Sequence, residues 1–123
     1  MYIPKVLRQS ITLPGDKSIS HRALILGAIA RGNTKIQGLS MGSDVMSTIS
    51  CLRSLGVTID FDKNNLVTVR GNCGSLRRPT IVLDAGNSGT TIRILTGMLA
   101  TQGFQSVITG DESLKSRPMF RII

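Results

Sequence analysis

Apolar residues recur at helical spacing in three stretches of the chain and alternate weakly in the short segments between them. From Ser18 to Arg31 the chain carries Ile19, Ala23, Leu24, Ile25, Leu26, Ala28 and Ile29, apolar nearly all round. That pattern predicts a centrally buried helix, capped by Ser18 and ended by Gly32-Asn33. Val45, Ile49, Leu52 and Leu55 mark a second helix that Ser43-Asp44 can cap and Gly56 stops. A third runs from the glycine-rich turn at 86–90 to about Thr101, ended by Gln102-Gly103. Strands are expected at Ser10–Leu13, Thr34–Leu39, Val57–Phe61, Leu66–Val69, Thr80–Leu83 and Gln105–Thr109. The turn Asp62-Lys63-Asn64-Asn65 joins the middle pair, and residues 1–8 form a basic lead-in. The order reads β-α-β-α-β-β and then restarts, which places the chain in the α/β (α+β) class.

The restart is an internal repeat with a constant offset of 71 residues. Gly15 falls on Gly86, Arg22 on Arg93, Leu24 on Leu95, Gly32 on Gly103 and Ile36 on Val107. One supersecondary unit is used twice. Unit one spans about 10–72 and unit two about 80–123. The same offset puts Arg117–Ile123 on Met46–Leu52, inside the first unit's second helix, so the second unit is incomplete. A cut helix leaves carbonyls and an apolar face without partners. The expectation is therefore that residues 1–123, about one and two-thirds units, are a fragment of a longer protein.

Composition narrows the partners. The formal charge is +8, from 15 Lys+Arg against 7 Asp+Glu. Such an excess favours anions, whether phosphorylated metabolites, nucleic acid or acidic membrane surfaces. Aromatics are few (Tyr2, Phe61, Phe104 and Phe120), which argues against a stacking platform for single strands. Cys51 and Cys73 have no metal or redox spacing and read as buried free thiols, in keeping with a reducing compartment. The run Ala23–Ala30 is too short to span a bilayer and the N-terminus lacks a signal-peptide core, so cytoplasm is the default and no membrane partner is expected.

Three constellations carry candidate chemistry. In Leu13-Pro14-Gly15-Asp16-Lys17-Ser18-Ile19-Ser20-His21-Arg22, a Pro-Gly turn opens the first helix with a lysine, a hydroxyl and an arginine. Helix N-termini attract anions through unpaired amides and the helix dipole. Arg22 lies one turn past Ser18 on the same face, and its fork suits phosphate. The alternative is a solvated helix start with an ordinary cap. His21 is either a base or, more commonly for a lone histidine beside a cap, structural or exposed. In Gly86-Asn87-Ser88-Gly89-Thr90-Thr91, with Arg93, glycines admit a ligand close to the backbone; the alternative is a plain strand-to-helix turn. The spacing matches neither a Walker loop nor a dinucleotide fingerprint. In Gly110-Asp111-Glu112-Ser113-Leu114-Lys115-Ser116-Arg117-Pro118, Arg117 stands just before a helix-starting proline; the alternative is a solvated loop.

At these three places the sequence closely resembles the 5-enolpyruvylshikimate-3-phosphate synthase (3-phosphoshikimate 1-carboxyvinyltransferase) family, over nearly the whole chain. The matching stretches are 13–22, Leu83-Asp84-Ala85-Gly86-Asn87-Ser88-Gly89-Thr90-Thr91-Ile92-Arg93, and Thr109-Gly110-Asp111-Glu112-Ser113-Leu114-Lys115-Ser116-Arg117-Pro118-Met119. The resemblance implies two similar domains of three β-α-β-α-β-β units each, a site between them, and a chain about three times longer, of which this would be the N-terminal fragment. It implies that Lys17, Ser18 and Arg22 bind shikimate 3-phosphate. It implies that Lys17, Asn87, Gly89 and Arg117 bind phosphoenolpyruvate. Gly89 would lie where a side chain crowds the site that phosphoenolpyruvate shares with glyphosate. Ile94 stands where one branch has proline, the Asn-Ser-Gly-Thr-Thr wording looks like a glyphosate-tolerant bacterial branch, and Phe120 departs from the usual small or acidic residue. The implied reaction is enolpyruvyl transfer in the shikimate pathway toward chorismate and aromatic amino acids. It needs no metal or organic cofactor, and the full-length protein would be a monomer. The family's acid–base carboxylates would belong to a later part, so no catalytic residue is assigned within this chain. Two alternatives stand behind this reading. The sibling UDP-N-acetylglucosamine enolpyruvyl transferase usually carries Lys-Asn where this chain has Lys17-Ser18. A basic module binding nucleic acid would need its basic residues on one stripe, and here they are spread out.

Overall fold

Residues 10–120 are described by a computed structural model of the chain; the basic lead-in lies outside them, as do residues 121–123. The first helix, α1 (Lys17–Ile29), starts two residues after the Pro-Gly turn. Its cap is Asp16, not Ser18: the Asp16 carboxylate accepts the Ile19 N–H at 2.7 Å and leaves Ser18 inside the first turn. Gly15 has to be glycine, because a Cβ there would run into the Gly38 carbonyl and come within 2.8 Å of the Ser40 amide. The motif's turn is therefore packed directly on the loop leading to the second helix.

Strand β1 (Arg31–Ile36) follows α1 at once. Gly32 and Asn33, expected as the helix stop, lie inside this strand, which ends before the predicted Leu39. The register explains the shift: β1 pairs antiparallel with β3 (Val67–Asn72) from Arg31↔Asn72 to Ile36↔Val67. β2 (Thr58–Phe61) pairs with the other edge of β3, giving the sheet order β1-β3-β2. The β2–β3 turn falls where expected. The Asp62 carboxylate accepts the Asn64 and Leu66 amides at 2.7 and 2.9 Å. Between β1 and β2 lies α2 (Ser43–Ser54). Gly42 occupies its cap position without a side-chain bond, so Ser43 and Asp44 sit in the first turn instead of capping it. Leu55 closes the helix and Gly56, at φ +87°, turns the chain.

In the second unit, β4 (Leu83–Asp84) and β5 (Ile108–Thr109) form a short parallel pair around α3 (Gly89–Leu99). The offset of 71 carries α1 onto residues 88–100, within one residue of α3 at each end. α3 stops short of the predicted Thr101, and both strands are shorter than predicted. The segment read as a polar loop contains a one-turn helix, α4 (Glu112–Lys115), and no helix starts at Pro118 within the described residues. Ser10–Leu13, predicted as a strand, lies in none. No strand pairs with it among the described residues, and Ile11 and Leu13 are exposed.

Leu24, Ala28, Val45, Ile49, Leu52, Leu55, Val67, Val69, Leu83 and Leu95 form a single buried cluster between the sheet and the helices. Each large side chain sealed there contributes roughly 1.5–3 kcal/mol. α1 is not buried all round: Ile19 and Leu26 are 65% and 61% exposed, because α2, α3 and the sheet cover only its other side. The two thiols also part company. Cys51 is buried, whereas Cys73 sits exposed in a turn at φ 57°.

Candidate functional site

The N-terminal turns of α1, α2 and α3 converge. Lys17, the first residue of α1, donates from Nζ to the Asp44 carboxylate on α2 at 2.9 Å. The Asp44 carbonyl in turn takes a longer contact, 3.4 Å, from the Thr91 hydroxyl in the first turn of α3. Among the described residues, some helix-start amides in this region have no partner. The Ile19 and Ser20 amides are occupied by Asp16, and the Thr91 and Ile92 amides by Ser88. What remains at the two starts is the Lys17–Ser18 pair and the Gly89–Thr90 pair, the orphan donors that attract anions. Ser18 and Arg22 are both exposed on α1.

The second cluster is built on Gly86, whose φ of +56° and whose closeness to Ser47 (2.9 Å from a Cβ) call for glycine. The Arg117 guanidinium donates to the Asn87 side-chain carbonyl at 2.8 Å, and the Asn87 amide donates to the Asp111 carboxylate at 2.7 Å. Asp111 also caps α4 through the Leu114 N–H at 2.8 Å. The Asn87 amide and then the Leu114 N–H hold the Asp111 carboxyl below the usual carboxylate range, and Arg117 adds to that. Arg117 and Arg93 both reach Gly89: a Cβ there would stand 3.3 Å from one guanidinium and 2.7 Å from the other. So Asn87, Gly89 and Arg117, three residues singled out from sequence, are brought together, and Lys17 is tied to the same set of helix starts through Asp44.

The pairings of Asp44 with Lys17 and of Asp111 with Asn87 are not visible in the sequence. Each aspartate pairs with a basic or amide side chain 24 to 27 residues away, a spacing without local periodicity. His21 is neither exposed nor beside an open surface; it is wholly buried. Among the described residues no group of three or more His, Cys, Asp or Glu is placed to hold a metal ion, and no helix is long and apolar enough to cross a membrane.

Two basic clusters at glycine turns, each beside a helix start, suit an anion but do not name a family. The decisive finding is a family model, EPSP synthase (3-phosphoshikimate 1-carboxyvinyltransferase), that matches residues 1–123. The chain belongs to the EPSP synthase family. A 3-phosphoshikimate 1-carboxyvinyltransferase of Desulforamulus reducens is 50% identical over 119 residues, covering 96% of this chain and 28% of the relative. One from Pelotomaculum thermopropionicum is 56% identical over 117 residues, 94% of this chain and 27% of the relative. The solved EPSP synthase from Acinetobacter baumannii superposes with a TM-score of 0.85 at 48% identity, over 90% of this chain and 26% of that one. The chain thus spans little more than a quarter of the family members it matches, and its mixed helix-and-strand fold is theirs.

Proposed function

We propose that this chain supplies the shikimate 3-phosphate site, and part of the phosphoenolpyruvate site, of an enzyme that transfers the enolpyruvyl group of phosphoenolpyruvate to the 5-hydroxyl of shikimate 3-phosphate. Lys17, Ser18 and Arg22 take the shikimate 3-phosphate; Lys17, Asn87, Gly89 and Arg117 take phosphoenolpyruvate. The 5-hydroxyl adds to C2 of phosphoenolpyruvate, giving up its proton as C3 takes one up; the tetrahedral adduct then loses phosphate together with one C3 proton, which restores the double bond in the enolpyruvyl product. Both substrates are polyanions. Fixed guanidinium, ammonium and amide donors position them against each other and stabilise charge as it shifts. The observation that carries this reading is the convergence of three helix starts, with Lys17 on Asp44 and Arg117 on Asn87, in a member of this family. No carboxylate in the described residues is assigned a proton-transfer role; that role falls to the remainder of a chain of the relatives' length. Such an enzyme works in the cytoplasm as a monomer, with small-molecule substrates and without nucleic acid.

The test is a chimera in which this chain replaces the segment it matches in the Pelotomaculum thermopropionicum relative. Phosphate release that depends on both substrates is the expected outcome, with none from this chain alone. A soluble, folded chimera without turnover refutes the proposal.

A further inference from the structure

One buried polar line crosses all three long helices. His21 Nδ1 lies 2.7 Å from the Thr48 hydroxyl, which lies 2.7 Å from the Thr91 hydroxyl, which lies 2.7 Å from the Ser88 hydroxyl. His21, Thr48 and Thr91 are completely buried and Ser88 is 1% exposed. The line starts on the second turn of α1, crosses the middle of α2, and ends on the cap of α3, next to Gly89.

The other ring nitrogen, His21 Nε2, is buried with no partner among the described residues. A buried unpaired acceptor is destabilising, a cost that an apolar side chain of similar size would avoid. A proton on Nδ1 gives one consistent order: His21 donates to Thr48, Thr48 to Thr91, and Thr91 to Ser88, with the same Thr91 proton shared with the longer 3.4 Å contact to the Asp44 carbonyl, while Ser88 also accepts the Thr91 N–H. The reverse order would strand an N–H at Nε2, a rarer defect than an unpaired acceptor. Burial keeps the ring neutral and Lys17 adds to that, against the pull of Asp44. Sealed from solvent, the imidazole cannot touch substrate. Its chemistry is spent on the neighbouring helices.

We infer that His21 is a positioning residue: through Thr48 and Thr91 it fixes the starting turn of α3 relative to that of α1. It thereby sets the phosphoenolpyruvate residues Asn87 and Gly89 against Lys17, Ser18 and Arg22. The assignment to substrates rests on the function proposed above; the structural tie does not.

Two measurements test it together. In the chimera, His21→Leu should lower kcat/KM for phosphoenolpyruvate about fivefold to tenfold, the value of one lost hydrogen bond, and change the KM for shikimate 3-phosphate less than about twofold. Thr48→Val should repeat this, and the double variant should be no worse than either single one, since both break one line. His21→Asn, which keeps a donor toward Thr48, should restore most of the loss. In this chain, amide spectra of His21→Leu should show shifts at Ser88, Gly89 and Thr91, on a different helix. Multiplicative variants, a lowered melting temperature with unchanged kinetics, or equal effects of Leu and Asn overturn the role. An inactive unsubstituted chimera refutes enolpyruvyl transfer, and with it this residue's part in that reaction. The amide shifts still decide the tie between the helices: their absence refutes it.

Discussion

Gly89→Ala separates folding from binding at the second cluster. Gly89 is the first residue of α3, and a Cβ built on it meets the Arg93 guanidinium at 2.7 Å and the Arg117 guanidinium at 3.3 Å. Ordinary contact begins at 3.4 Å, so Arg93 must retreat by several tenths of an ångström and Arg117 is nudged as well. Both obstacles are the far ends of flexible side chains, and alanine is the better helix former by up to about 1 kcal/mol, so the stability of the chain should change by less than that. Binding answers to different atoms. Arg117 already donates to Asn87, which limits how far it can move without breaking that bond. A charge-assisted hydrogen bond to an anion is worth roughly 1.5–3 kcal/mol, so drawing one guanidinium away should weaken phosphoenolpyruvate about tenfold to a hundredfold. Urea unfolding of this chain reads the first quantity and the KM for phosphoenolpyruvate in the chimera reads the second. A KM within twofold of the parent, at unchanged stability, would refute the placement of the two arginines around an anion at Gly89.

Three further outcomes follow from single sites. Gly71→Ala aims a methyl at backbone, within 2.7 Å of the Gly27 carbonyl and against Ala30, and neither can step aside; urea unfolding should show a loss of about 1–3 kcal/mol, and an unchanged midpoint would contradict the α1–β3 packing. Asp111 titrates below the usual carboxylate range when folded, so its stabilising contribution is complete above the ordinary value and disappears as pH falls through the lowered one. Amide shifts of Gly110–Arg117 followed into acid should show that loss, and Asp111→Asn should abolish the pH dependence. Cys73 is exposed, whereas burial and the nearby Asp84 push the Cys51 thiol up to about 11 and its Sγ bonds the Asp84 carbonyl at 3.3 Å. A thiol reagent should therefore modify one cysteine in native chain and two after unfolding.

What sequence reveals here depends on the range of the interaction. The helices are legible because α2 needs only Val45, Ile49 and Leu52 on one face, and because α1 and α3 reuse one pattern 71 residues apart. The strands are displaced because pairing across the sheet sets their ends. Thr34 begins the apolar alternation, yet β1 begins at Arg31 because Asn72, Gly71 and Arg70 on β3 stand opposite. Capping turned on competing hydroxyl and carboxyl groups only two residues apart. Asp16 won over Ser18 by reaching the Ile19 amide from an extended backbone at ψ 133°. Burial of α1 was overestimated because a sequence lists apolar residues without saying which layers exist to cover them; Ile19 and Leu26 face none of the described elements.

The candidate site divides along the same line. Lys17, Ser18, Asn87 and Gly89 stand out in the sequence because each sits at a turn that opens a helix, and Arg22 because it lies one turn past Ser18 on the same face; the anion-binding character of a helix start is local. Their mutual placement is not local. It is set by Lys17 reaching Asp44, by Arg117 reaching Asn87, and by His21 reaching Thr91 through Thr48, all contacts between elements far apart in the chain. The two sets differ in energy as well as in range. The Lys17–Asp44 pair is solvated, with 58% and 24% of its side chains exposed, and pairs of that kind contribute about 0–1 kcal/mol. The His21 line is dry, and in a low-dielectric interior a broken link leaves a buried hydroxyl one partner short. On the proposed function, the surface pair opens when the substrate anion arrives and releases Lys17 toward it, while the buried line keeps the helix starts in register beneath. Recognition at the surface and geometry below it are thus assigned to different residues, and only the first group has a signature that sequence can show.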